Sequence, residues 1–173
     1  MAVYKIRKYG EPILRQRCRR VENISSRERE ILDRMAETMY RADGIGLAAP
    51  QVGIDKQLIV VDVGEGLIKL INPLVLLREG ESVLEEGCLS LPEITVKVRR
   101  AKRVLVEGWN EDGKRITIQG EGLLAHALQH EIEHLSGILI IDYADPMEKA
   151  TFEGKLRRLE KKAQKYLKKV SKI

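Results

Sequence analysis

His130-Glu131-Ile132-Glu133-His134 is the stretch of this chain on which the rest turns. If it is helical, positions 130 and 134 share one face, a turn apart. Two imidazoles so placed hold one metal ion, and Glu131 between them stands close enough to act on a water there. A five-residue pattern also arises by chance, and a solvated helix can carry two histidines with no metal. The flanks decide. Leu123, Leu124, Ala127, Leu128, Ile132 and Leu135 surround the pair, so the histidines do not sit on a polar face. Charge-capable groups held against apolar surface need a partner, and a metal is a good one. Gly137 shortly after Leu135 gives the helix an end, and the spacing predicts a helix from about Glu121 to Leu135.

Outward from that helix, composition sets the bounds. A chain of 173 residues, 43% hydrophobic and 33% charged, suits one soluble domain spanning 1–173. No run approaches the roughly 18 apolar residues that a membrane helix needs. The opening Met-Ala-Val-Tyr-Lys-Ile-Arg has no secretory pattern. Cys18 and Cys88 make no disulfide framework, so the cytoplasm is the expected location. The net charge of +5 is uneven: 149–173 carries ten Lys or Arg against two Glu, which leaves the first 148 residues at −3. Leu156, Leu159, Ala163, Tyr166, Leu167 and Val170 recur at helical spacing in that tail. It reads as a basic amphipathic helix, 148–173, that belongs to the domain. Such a helix either docks its apolar stripe on the body or meets an acidic partner such as RNA or a ribosome.

Ser25-Ser26-Arg27-Glu28 reads as a capping box, and Ile31, Leu32, Met35, Ala36, Met39 and Tyr40 give the helix behind it a core stripe. It runs out near Asp43-Gly44, where a loop from Gly44 to Gln51 begins. Strand candidates are Leu58 to Val63, Lys69 to Ile71, Leu74 to Leu77, Ser82 to Leu84, Thr95 to Val98, Val104 to Trp109 and Arg115 to Ile118. Asp112-Gly113 marks a hairpin turn between the last two. The tail helix begins near Pro146. The expected class is α+β: mostly antiparallel sheets around a central metal-binding helix, with an N-terminal helix and a C-terminal basic helix.

Two histidines leave a catalytic metal site short of its usual three protein ligands and one open position. Glu133 points off the His130–His134 face. His126, at i−4 from His130, is geometrically possible, but three ligands along two turns of a straight helix splay around the metal. Cys88 lies in Glu85-Glu86-Gly87-Cys88-Leu89-Ser90-Leu91-Pro92, where Gly87 allows close backbone approach and Pro92 is expected to end the segment. A Cys-His-His set would leave the fourth position for water, and a distant carboxylate stays open as a fourth candidate. Cys18 reads as a buried small hydrophobe. Gly44-x-Gly46-x-x-Ala49 matches a dinucleotide fingerprint in form, but that motif must follow a strand and open a helix. Here a helix precedes it and Pro50 follows. Two glycines flanking Ile45 suggest instead backbone laid close to a ligand, with Gln51 offering an amide donor.

Three segments, Gly44-Ile45-Gly46-Leu47-Ala48-Ala49-Pro50-Gln51, Glu86-Gly87-Cys88-Leu89-Ser90 and Gln129-His130-Glu131-Ile132-Glu133-His134, together resemble the peptide deformylases in order and spacing. Val3 to Arg15 and Asp112-Gly113-Lys114 extend the likeness over nearly the whole chain. It implies a metal-dependent hydrolase that removes the N-formyl group from the N-terminal formyl-methionine of new proteins and releases formate. It implies Cys88, His130 and His134 as ligands of one divalent metal, usually Fe2+, with Zn2+, Ni2+ or Co2+ able to substitute. Glu131 then moves the proton of the attacking water, while the Gln51 amide and the Leu89 backbone N–H hold the oxyanion. Ile45 and Gly46 would pair with an extended peptide. Beside Glu86 and Gly87, the methionine pocket would draw on Ile45, Leu84, Leu123, Ala127 and the ring of His126. Two residues depart from the family pattern: Glu133 stands where Asp is common, and His126 where a small or apolar residue is usual. Glu86 is expected to pair with Arg100. The partners implied are formyl-methionine nascent chains, with a ribosome contact through the tail and neither membrane nor DNA. An H-E-x-x-H zinc endopeptidase would share the helix but not need Cys88. A structural metal site in an RNA-binding protein would not need Glu131, and a Cys88 thiol protease would need a thiol free of metal.

Overall fold

The computed structural model describes residues 2–171. Helix α1 (Ser26–Arg41) starts on the expected capping box. The Ser25 hydroxyl accepts from the Arg27 N–H, and Glu28 accepts from the Ser25 N–H at 3.0 Å. These bonds satisfy amide groups that a helix start otherwise leaves open. Its stripe of Leu32, Met35 and Met39 is fully buried, each side chain contributing about 2 kcal/mol by leaving water.

The strands are β1 (Gly46–Ala48), β2 (Leu58–Val61), β3 (Ile68–Glu79), β4 (Ser82–Cys88), β5 (Leu91–Arg100), β6 (Arg103–Trp109) and β7 (Arg115–Glu121). Five form one sheet in the order β1-β2-β3-β6-β7, while β4 and β5 make a separate two-stranded hairpin, and every pairing is antiparallel. Helix α2 (Leu123–His134) packs against β1, β2 and β7 of the large sheet. One apolar cluster joins α1 to the first strands, and a second joins α2 to β2, β3 and β6. A third gathers β5, the segment after α2, and helix α3 (Pro146–Ser171).

Several local expectations change. The 44–51 loop contains β1 and a 3-10 turn, Ala49–Val52. The two short runs at 69–77 are one bulged strand through Asn72-Pro73. Asn72 adopts a φ of 52°, and its side chain makes two 2.8 Å hydrogen bonds to the Val21 backbone, which hold the irregular step in place. Pro92 does not end its segment; it is the second residue of β5, after the link Leu89-Ser90. The Asp112-Gly113 turn is part of a five-residue loop, 110–114, in which the Asn110 side chain accepts from the N–H groups of Asp112 and Lys114.

The tail docks through Phe152, Leu159 and Ala163, while Leu167 and Val170 of the expected stripe stay exposed. Its last turns are held differently: Arg7 donates to the Tyr166 hydroxyl, and the Lys5 ammonium sits 3.4 Å over the Tyr166 ring. No helix among the described residues is long and apolar enough to cross a membrane.

Candidate metal centre

Helix α2 is buried on its polar side as well as its apolar one: His126, Gln129, His130, Glu131 and His134 are all buried. The chain turns into it through Gly122, whose φ is 61°. Gln129 ties its middle down, accepting from the Ala101 N–H and donating to the carbonyls of Ala101 and Ala125. Each buried polar group here needs such a partner.

The His130 and His134 rings lie 5.0 Å apart, centroid to centroid. Cys88, at the end of β4, brings its Sγ to 3.4 Å from His134 Nε2. One donor atom from each of Cys88, His130 and His134 lies within 4.8 Å of the others. A sulfur with two imidazole nitrogens suits iron, zinc, nickel or cobalt by ligand softness. His130 Nδ1 is 3.0 Å from the Glu86 carboxylate, which turns Nε2 toward the cluster; an imidazole fixed at its far nitrogen is the usual backing of a metal ligand. Burial, and then the neighbouring His130, pushes His134 well below the ordinary imidazole value. The donor set fits a divalent ion with one position to spare.

Glu86 supports this wall. Arg100 grips both its oxygens, at 2.7 and 3.0 Å, and His126 Nδ1 lies 2.6 Å from one of them. Burial opposes its charge, but the bonds from His130 and Arg100 prevail and hold the carboxyl at about 2. Glu131 behaves in the opposite way. Burial raises it, against the opposing pull of His130, to about 7. Its Oε2 lies 3.9 Å from His130 Nε2, and its Oε1 is buried without a partner. A carboxylate poised there can take and return a proton near neutral pH. Gly46 explains itself at this point: a Cβ on it would overlap the Glu131 carboxylate.

Gln51 reaches the same place from the other side. Its Oε1 accepts from the Ala48 N–H at 2.9 Å, which aims the amide nitrogen at Ser90 Oγ (3.1 Å) and Cys88 Sγ (3.5 Å). Gly46, Gln51, Glu86, Cys88, His126, His130 and Glu131 border one cavity of about 490 Å3.

Residues 3–150 match the Polypeptide deformylase family. The chain is 54% identical over 144 residues to the peptide deformylase of Halothermothrix orenii, an alignment covering 82% of this chain and 94% of that protein. It is 48% identical over 162 residues to the peptide deformylase of Thermodesulfovibrio yellowstonii, covering 91% and 98%. The crystal structure of peptide deformylase from Thermus thermophilus superposes with a TM-score of 0.88 at 38% identity, over 93% of this chain and 99% of that one. The chain belongs to the polypeptide deformylase family.

With the deformylase family established, the residues expected from sequence can be placed. Ile45, Gly46, Gln51, Leu84, Glu86, Gly87, Cys88, Leu89, Leu123, His126, Ala127, His130 and Glu131 all border the one cavity, and His134 lies behind it in the donor cluster. Glu86 borders the cavity with its carboxylate already engaged by Arg100, His126 and His130. His126 stands outside the donor cluster, its Nδ1 on Glu86 and its Nε2 buried without a partner. At Gly87 a Cβ would meet only the Ile94 carbonyl, at 3.9 Å, so among the described residues nothing requires the glycine. Cys18 is buried, and burial raises its thiol to about 11. Sequence reasoning missed Ser90, which holds the Gln51 amide, and the floor residues Leu91, Ile94 and Thr95. For Ile94 a signal existed, since Ile94, Val96 and Val98 are alternate apolar residues of β5.

Proposed function

We propose that Cys88, His130 and His134 hold one divalent metal, with Fe2+ as the physiological ion and Zn2+, Ni2+ or Co2+ able to replace it. Around it, Glu131, Gln51 and Leu89 carry the chemistry. The reaction is that of the family: a metal-dependent hydrolase takes the N-formyl group from the N-terminal methionine of newly made proteins and releases formate. The metal, when bound, supplies Lewis acidity and makes hydroxide available near neutral pH.

Glu131 accepts a proton from the attacking water and delivers it to the departing amine. Its carboxylate lies 3.9 Å from His130 Nε2 with one oxygen buried and unpartnered, which leaves it a place to take a proton and return it. The Gln51 amide and the Leu89 N–H donate to the oxygen that becomes negative, each such donor being worth roughly 3–4 kcal/mol. Glu86 keeps His130 oriented. Strand β1 lies at the edge of its sheet, so Ile45 and Gly46 offer backbone to an extended peptide whatever its sequence. Leu84, Leu123, Ala127, Ile45 and the His126 ring enclose the methionine side chain, and Gly87 leaves the facing backbone of β4 open.

One observation carries this reading. Cys88, His130 and His134 cluster as metal donors, and Cys88 and His130 share one cavity with the Glu131 carboxylate and Gln51. The whole chain, 1–173, acts as one catalytic unit, since Phe152, Leu159 and Ala163 of α3 bury themselves in the body. We place it in the cytoplasm, where nascent chains emerge, with the basic face of α3 meeting the ribosome.

The test is a peptide assay. A formyl-Met peptide should yield formate and an otherwise intact peptide. Cutting of internal bonds in unformylated peptides would point to an endopeptidase instead.

A further inference from the structure

The support behind His130 continues past Glu86. Arg100 grips Glu86 with Nε and Nη2 and turns its Nη1 outward to Glu133 Oε1 at 2.6 Å. The other Glu133 oxygen accepts from the Tyr143 hydroxyl. Tyr143 also lays its ring 5.1 Å from the Arg100 guanidinium. An unbroken run of charge-assisted bonds therefore joins Tyr143, in the 3-10 turn Ile140–Tyr143 after α2, to the imidazole of a proposed metal ligand.

We propose that Tyr143 is a positioning residue that acts through Glu133, Arg100 and Glu86 to fix the orientation of His130 for metal binding. This rests on the metal-site reading above.

The outer end of the run is held by bonds more than by packing. The Arg100 side chain is 3% exposed, whereas Glu133 is 24% exposed. Arg100, Glu133 and Tyr143 line a second cavity of about 410 Å3, which gives Glu133 room to swing. Without the Tyr143 hydroxyl, Glu133 is free to turn into that space. Arg100 then loses one of its two anchors, the grip on Glu86 tilts, and Glu86 no longer presents Oε1 squarely to His130 Nδ1. Burial, followed by the bond to Glu133, raises the Tyr143 phenol to about 12, so it remains a donor throughout the neutral range. Bonded neighbours of a ligand commonly set metal affinity by about 10- to 100-fold, and a group further out should act more weakly through them.

The experiment titrates the metal-free full chain with Co2+ alone and follows the visible absorption of the bound ion. Wild type, Tyr143→Phe, Glu86→Gln and the double variant are compared. Glu86→Gln should weaken binding by about 10- to 100-fold and Tyr143→Phe by about 3- to 10-fold. In the Glu86→Gln background Tyr143→Phe should have no further effect, because the path to His130 is already cut. Wild-type affinity in Tyr143→Phe, or an equal loss in both backgrounds, would overturn the proposal. If Tyr143→Phe lowers the unfolding temperature, Glu133→Gln goes through the same cycle with the same pattern expected. Failure of wild type to take up one Co2+ per chain would instead overturn the metal-site reading itself, and this proposal with it.

Discussion

Helices α2 and α3 both carry charged side chains close to an apolar stripe, yet they treat those charges in opposite ways. In α2 His126, His130, Glu131 and His134 are buried and Glu133 is half-buried; Glu86 bonds to His126 and His130, Arg100 to Glu133, and Gln129 ties the helix to the Ala101 backbone. In α3 the cations Lys161, Lys162, Lys165, Lys168 and Lys169 are exposed, and among the described residues no carboxylate pairs with them. The family match ends at residue 150, before most of α3. The charge of α2 is enclosed and oriented; that of α3 is left in water. Buried groups are costly unless satisfied, so α2 tolerates little change. Exposed ones are worth little individually, and act through their number and the salt around them.

The largest break in this comparison comes at Glu131. Glu131→Gln should retain the metal, fold normally, and lose roughly 10²- to 10⁴-fold in turnover, the usual worth of a positioned acid–base group. Metal analysis and formate assay on the same sample check it; a near-normal rate would remove Glu131 from the mechanism.

Two truncations sharpen the other side. Ending the chain at Glu153 removes the buried Leu159 and Ala163 and uncovers the third cluster. Unfolding in urea should show a loss of about 2–4 kcal/mol. Ending it after Tyr166 removes, among the described residues, only exposed ones and should leave stability unchanged. That second truncation should still weaken ribosome binding and flatten its salt dependence, because fewer phosphates are neutralised. Unchanged, salt-insensitive binding would argue against a ribosome contact by the tail.

The smallest effect concerns the scaffold. Glu28 is buried, and burial opposes its charge, but the bonds from Lys56 and Ser25 hold it at about 2, below its ordinary 4.5. Because the folded value is the lower one, its stabilisation is complete above about pH 4.5 and disappears as pH falls toward about 2. The stability gap between wild type and Glu28→Gln, followed by denaturant titration, should therefore close across that acid window and stay constant above it.

What could be read from sequence divides along the same line. The α1 cap, the H-E-x-x-H helix and the alternating strands are local patterns, and they stand as expected. Cys88 is far from the histidines along the chain, so its place beside His134 needed the resemblance to a family. Three-residue β1 was hidden because its glycine answers a distant contact, the Glu131 carboxylate against Gly46. Asn72-Pro73 reads as a strand end, since proline cannot donate, yet the Val21 backbone bonds the asparagine and β3 continues. The Glu133 and Tyr143 links to Arg100 have no periodic signature at all, being long-range contacts between side chains. Phe152 was legible, one turn before Leu156 on the same face; the exposure of Leu167 and Val170 was not, because it depends on where the body stops beneath the helix.

On the proposed reading a sulfur and two imidazoles hold the metal on which formate release depends. Metal content and formate release from a formyl-Met peptide should be measured together on wild type and Cys88→Ala. Wild type should hold one divalent ion per chain and release formate, and Cys88→Ala should lose both. A metal-free Cys88→Ala chain that released formate at the wild-type rate would contradict the account.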